Sequence, residues 1–133
     1  MDKMLPAMPE SLRHDGEQAL DELMTALGGL NAAVIATSDG FEVAARARFG
    51  LEVTKLAAMA CSLSALGAMA GEESSVGLQQ SLIIEASEGY VVIIDVPHPR
   101  FPMILNLVAE REETLGQLIY QAKRMATRLA ACS

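Results

Sequence analysis

The chain has 133 residues, 51% of them from the apolar set Ala, Val, Ile, Leu, Met, Phe, Trp, Tyr and Cys, yet only 4% aromatic and 20% charged. This length fits one domain, too apolar to be disordered and slightly too apolar for a monomer of its size. Ten Lys and Arg stand against 17 Asp and Glu, a formal charge of −7, which argues against phosphate-driven nucleic-acid binding and against adhesion to an anionic membrane surface.

Residues 1–9 contain Pro6 and Pro9 and read as a flexible tail ahead of a domain over 10–130. A helix starts near Glu10. Leu20, Leu23, Met24 and Leu27 share one face of it, and Gly28-Gly29 stops it. Two apolar runs, Ala32 to Thr37 and Phe41 to Phe49, flank Ser38-Asp39-Gly40. Asp-Gly in that setting predicts a β-hairpin with a type I′ turn. In the second strand Phe41, Val43, Ala45, Ala47 and Phe49 alternate with Glu42, Arg46 and Arg48, so one face is expected to be wetter.

A helix with few charges follows over 51–70, ended by Gly71. It carries two apolar stripes. Leu56, Met59, Leu63, Leu66 and Ala70 form the larger one, expected to pack on the sheet. Thr54, Ala58, Cys61, Ala65 and Ala68 form a small-residue stripe on the opposite side. A solvated helix face normally carries charged or long polar residues, so the small stripe predicts close contact with another helix. Lys55 and the richness in Ala argue against a membrane span.

Leu78 to Ser87 reads as a strand, and Glu88-Gly89 as a tight turn. Tyr90–Val96 and Met103–Ala109 are strands apolar on both faces, as in a sheet covered on both sides. Pro97 to Pro102 separates them. The last helix spans about 112–130, with Leu115, Leu118, Ala122, Met125 and Leu129 as its core stripe. The order α-β-β-α-β-β-β-α, with hairpin-length turns, predicts an antiparallel α+β fold. Two helices lie on one face, and the two-stripe helix covers the other.

Catalytic patterns are missing. The chain has no G-x-x-x-x-G-K-[ST] loop, no G-x-G-x-x-G and no G-x-S-x-G. His14 and His98 lack partners at ligand spacing, so no metal or other cofactor is expected. His14 reads as solvated and His98 as part of a surface turn. Cys61 reads as an inert packed thiol and Cys132 as exposed. Two cysteines without an apolar leader segment fit reduced thiols in a cytoplasmic protein. Asp95 is expected to cap or turn, and Asn106 to hydrogen-bond a neighbour. Arg46 and Arg48 fit a solvated or intersubunit salt bridge, with an arginine offered to a nucleotide in trans as the sharper reading.

Taken together, the hairpin at Ser38-Asp39-Gly40, the small-residue helix, the run Glu85-Ala86-Ser87-Glu88-Gly89-Tyr90 before Val91-Val92-Ile93, and the opening Glu113-Thr114-Leu115-Gly116-Gln117-Leu118 of the last helix are similar to the roadblock, or dynein light chain roadblock, family. The likeness covers about residues 10–130 and is nearest to the prokaryotic branch, which includes the gliding-motility GTPase-activating protein. It implies a profilin-like, five-stranded antiparallel sheet between two helices and one. It also implies a homodimer in which the middle helix packs on its twofold mate and the third strand extends the sheet between subunits. Gln79, Ser81 and Ile83 lie along that third strand, the edge a dimer would cover. Such proteins lack catalytic machinery and act as scaffolds or bind Ras-like small GTPases and speed GTP hydrolysis. Lys55 and Ser62 flank the expected seam and are the candidate partner contacts. A small-molecule-sensing or general adaptor domain is the alternative.

Overall fold

The computed structural model describes residues 8–132, so most of the expected tail over 1–9 lies outside the described residues. The elements are α1 (Glu10–Ala26), β1 (Leu30–Thr37), β2 (Glu42–Ala47), α2 (Val53–Glu73), β3 (Leu82–Ala86), β4 (Gly89–Val96), β5 (Met103–Glu110) and α3 (Leu115–Ala130). The five strands form one antiparallel sheet in the order β2-β1-β5-β4-β3. As the element order predicts, α1 and α3 cover one face and α2 covers the other.

The strands apolar on both faces lie at or near the centre. Val34 of β1 pairs with Asn106 of β5, and Ile93 of β4 pairs with the other side of Asn106. The larger core lies under α1 and α3. Leu12, Leu20 and Leu23 of α1 meet Leu118, Met125 and Leu129 of α3 over Ile35, Leu105 and Leu107. Each such side chain contributes about 1.5–3 kcal/mol when fully buried. The core under α2 is thinner, with Val34, Ala36, Ile93 and Ile104 meeting Ala57 and Ala60.

The first hairpin departs from its predicted turn. Gly40 has φ +93°, but neither Ser38 nor Asp39 has positive φ, so the turn is not type I′. Gly40 N–H donates to the Thr37 carbonyl at 2.9 Å, and Thr37 N–H to that of Phe41 at 2.8 Å. This is a three-residue loop with Gly40 in the left-handed position, a common hairpin solution. Gly40 also sits close to α2, where a Cβ would stand 3.3 Å from Cys61 Cβ, a tight contact.

The clean alternation expected in β2 is broken as well. Ile35 pairs with Ala44 but Ala36 pairs with Glu42, which makes Val43 an extra residue in the ladder. The bulge turns Val43 and Ala44 into the same core. Phe41 and Phe49, expected on an inward face, are exposed, and Phe49 sits beyond the strand at φ +60°.

α3 starts later than its acidic residues suggested. Thr114 caps it, its hydroxyl accepting from Gln117 N–H at 3.3 Å. Glu113 instead reaches the α1–β1 loop, where its carboxylate accepts from Gly29 N–H at 2.6 Å. Gly71 does not end α2, which runs two residues further.

Candidate interaction surface

The inward side of α2 is built from small residues. Ala57, Ala60 and Ser64 are its buried positions, with Leu56 and Leu63 half-buried beside them. The sheet below already presents Val34, Ile93 and Ile104, so the helix can sit close only if its own contact residues are small. The expected large stripe is overturned in part: Leu56 and Leu63 pack on the sheet, but the rest do not. Met59 and Leu66 point away from the sheet at 54% and 60% exposure, joined by Met69 at 58%, and Ala70 is exposed too.

The small stripe is largely where its spacing put it. Thr54, Ala58, Ala65 and Ala68 are exposed. Cys61 is half-buried, and its thiol donates to the Ser38 carbonyl at 2.8 Å, tying the hairpin tip to α2. The outer face is therefore a mixture of alanines and bare methionine and leucine side chains. A helix with this composition, mean hydropathy 1.5, is long and apolar enough to cross a membrane. Its inward side, however, closes one face of the sheet.

Lys55 and Ser62 are also exposed. Lys55 pairs with Glu52 at 3.4 Å, an exposed contact worth little. Ser62 borders a shallow hollow with Ala58, Met59 and Leu63. β3 is an edge strand, as expected, but shorter than predicted. Gln79 and Ser81 precede it, and only Ile83 belongs to it, packed towards the larger core. Gln79 leans on α2, its amide 3.5 Å from the Ser64 carbonyl oxygen.

Other candidates are tied up internally. Arg46 donates to Asp21 at 2.7 Å, and Arg48 to the Gly28 carbonyl at 3.0 Å. Neither guanidinium pairs with Glu42, which alternates with them along the strand. Asp95 accepts from the Ser64 hydroxyl at 2.9 Å. Asn106 approaches the Leu56 carbonyl through Nδ2 at 3.4 Å, while its buried Oδ1 has no partner among the described residues. His98 is not a surface residue: it is buried against the chain end. Cys132 is half-buried, and burial pushes its thiol above the ordinary range, helped by Asp15. Arg128 holds the exposed Glu22 carboxyl below its ordinary range through a 2.7 Å hydrogen bond. No group of three or more His, Cys, Asp or Glu that could hold a metal ion occurs among the described residues.

Solved structures decide the fold. MglB of Myxococcus xanthus superposes with a TM-score of 0.81 at 13% identity, over 94% of this chain and 92% of that one. The chain has the roadblock fold. A Roadblock/LC7 domain from Streptomyces avermitilis matches with a TM-score of 0.75 at 18% identity, over 85% of this chain and 92% of its own. An MglB described as a tetrameric arrangement matches at 0.78 and 17%, over 98% and 95%. No family model and no curated protein matches the sequence. The roadblock likeness read from the hairpin, the small-residue helix and the last helix therefore holds at the level of architecture, and its neighbours are prokaryotic, as expected.

Proposed function

We propose that the chain is a non-enzymatic homodimeric regulator or scaffold that binds a Ras-like small GTPase in the cytoplasm, with faster GTP hydrolysis by that GTPase as its regulatory output. The observation that carries this reading is the outer face of α2. Thr54, Ala58, Ala65 and Ala68 run along it, and Met59, Leu66 and Met69 stand bare between them. Exposed apolar surface of this extent marks an association site. A twofold interface must be self-complementary, and a straight helix face crossing its own copy satisfies that requirement. The roadblock architecture and the tetrameric arrangement described for one MglB support self-association. Cys61 lies at the rim of the seam, and Ile83, with Gln79 and Ser81 before it, lies along the second contact at the β3 edge. Lys55 and Ser62 flank the seam and belong to the partner surface.

Sedimentation of the native chain and of Ala65→Glu tests the dimer. The native chain is expected to run as a dimer and the variant as a monomer or aggregate; a stable dimer of the variant refutes the seam. GTP hydrolysis by the cognate GTPase, with and without the chain, tests the regulator. Binding without a change in rate leaves a scaffold, and absence of binding removes the GTPase from the reading.

A further inference from the structure

The sheet has a gap in one edge. The β3–β4 ladder ends where Leu82 pairs with Ile93, whereas the β4–β5 ladder continues to Val96 and Met103. Ile94, Asp95 and Val96 thus have no strand on their outer side. The chain that would fill this lane, residues 78–81, is drawn across to α2 instead. Glycines in α2 make room for it. A Cβ on Gly71 would stand 2.7 Å from the Gly77 carbonyl oxygen, and one on Gly67 would overlap the Gln79 side chain.

The parity of the ladder fixes which backbone groups are left over. Ala86 and Gly89 pair across a two-residue turn, so they exchange both of their backbone hydrogen bonds. Val91 and Ile93 repeat that arrangement, and the next residue in phase is Asp95. Its N–H and C=O therefore point out of the sheet edge, with no backbone partner among the described residues. An open edge of this kind, here flanked across a cleft by Leu78, Gln79 and Gln80, is a template for another extended chain.

A cleft opens on each side of this edge. On the α2 side one of about 510 Å³ is lined by Ser64, Ala65 and Ala68 over Ile104. On the α3 side one of about 550 Å³ is lined by Lys123, Ala126 and Thr127. Asp95, Pro97 and Ala68 border both clefts. Successive side chains of a strand point to opposite faces, so an added strand would use both. The residue opposite Asp95 would project to the α2 side, where alanines and the bonded Ser64–Asp95 pair leave room for a small side chain. Its neighbours would project to the α3 side, towards Lys123. Lys123 makes no salt bridge among the described residues.

We infer that the β4 edge at Asp95 is a strand-addition site for an extended segment of a partner protein, with a small residue opposite Asp95 and an acidic residue beside it that pairs with Lys123. The site shares Ala65 and Ala68 with the outer face of α2 but is centred on the β4 edge, and it does not depend on the GTPase reading.

The test uses end-blocked, fluorescein-labelled heptapeptides with a central alanine flanked by glutamates in a valine and threonine background. Fluorescence anisotropy is expected to show saturable binding to the native chain. Lys123→Glu should weaken it about fivefold, on the scale of an exposed ion pair, and should favour the matching lysine peptide. N-methylation of the central alanine should weaken binding about tenfold, because it removes a backbone donor. Lys123 is exposed, and an unchanged melting temperature and sedimentation of the variant confirm that fold and oligomeric state are intact. Absence of saturable binding, equal affinity for Lys123→Glu, or indifference to N-methylation each overturns the inference.

Discussion

His98 Nε2 lies 2.7 Å from the backbone carbonyl oxygen of Cys132, joining the β4–β5 turn to the end of α3. The other ring nitrogen, Nδ1, accepts the N–H groups of Arg100 and Phe101 at 3.1 and 3.0 Å. Nε2 is therefore the protonated nitrogen of a neutral ring, and every polar atom of this buried side chain is used. His98→Ala leaves two backbone donors and one carbonyl without their partner. We expect a loss of about 1–3 kcal/mol in urea unfolding, with the urea dependence unchanged. A loss near zero would mean that the turn finds other partners at no cost.

Neighbouring alanines of α2 should respond in opposite ways. Ala57 is fully buried against β1, and Ala58 is exposed. Ala57→Leu forces extra volume between helix and sheet and should cost about 1–3 kcal/mol. Ala58→Leu should leave the fold intact and act on self-association instead. Thermal melting combined with sedimentation separates the two effects; equal destabilisation of both variants would contradict the helix orientation.

Phe49 is 80% exposed and held at φ +60°, a conformation that costs a bulky residue. Glycine takes this backbone without strain, although it adds freedom to the unfolded chain. Phe49→Gly should therefore raise stability by about 0.5–1 kcal/mol, from a strain of roughly 1–2 kcal/mol. Phe49→Val should lower it, because β-branching worsens the fit at positive φ. A melting temperature lower for Gly than for Val would dismiss the strain.

Cys132 gives a pH dependence with a definite sign. Burial, and then the neighbouring Asp15 carboxylate, raise its folded-state pKa. The folded state prefers the protonated thiol, so its contribution is complete below the unfolded thiol pKa. It is lost as pH rises from that value through the folded one. In Cys61→Ser, iodoacetamide should modify Cys132 more slowly than a free thiol at about pH 8.5, the ordinary thiol pKa. A rate equal to that of free cysteine would remove this effect.

The parts of the fold legible in the sequence are those where one face differs from the other. Leu20, Leu23 and Leu27 mark the inward side of α1 because Asp21 and Glu22 mark the outward one. Tyr90–Val96 and Met103–Ala109 are apolar on both faces, and both lie between covering layers. α2 offered no such contrast. Both of its sides are apolar, so spacing alone could not say that Ala57 and Ala60 face the sheet while Met59 and Leu66 face out. The deciding fact is the bulk of Ile93 and Ile104, which lie far along the chain. The burial of His98 is illegible for a related reason: its partner is the carbonyl of Cys132, and a backbone acceptor leaves no trace in residue types. The gap beside Asp95 was equally hidden, because it arises from where residues 78–81 go rather than from what they are.

The order β2-β1-β5-β4-β3 places the last strand of the chain at the centre of the sheet. β1 gains its second neighbour only when β5 has been made, and that pairing joins residues as distant as Val34 and Asn106. Non-local pairings of this kind slow folding. During synthesis α2 emerges well before β5, so the most apolar helix of the chain exists for a time without the sheet it must cover. The alanines that suit it to close packing also limit the bulk of apolar side chain it presents in that interval, and Glu72 and Glu73 at its end keep one terminus charged. The burden of avoiding premature association falls on a helix whose outer face stays apolar in the finished fold.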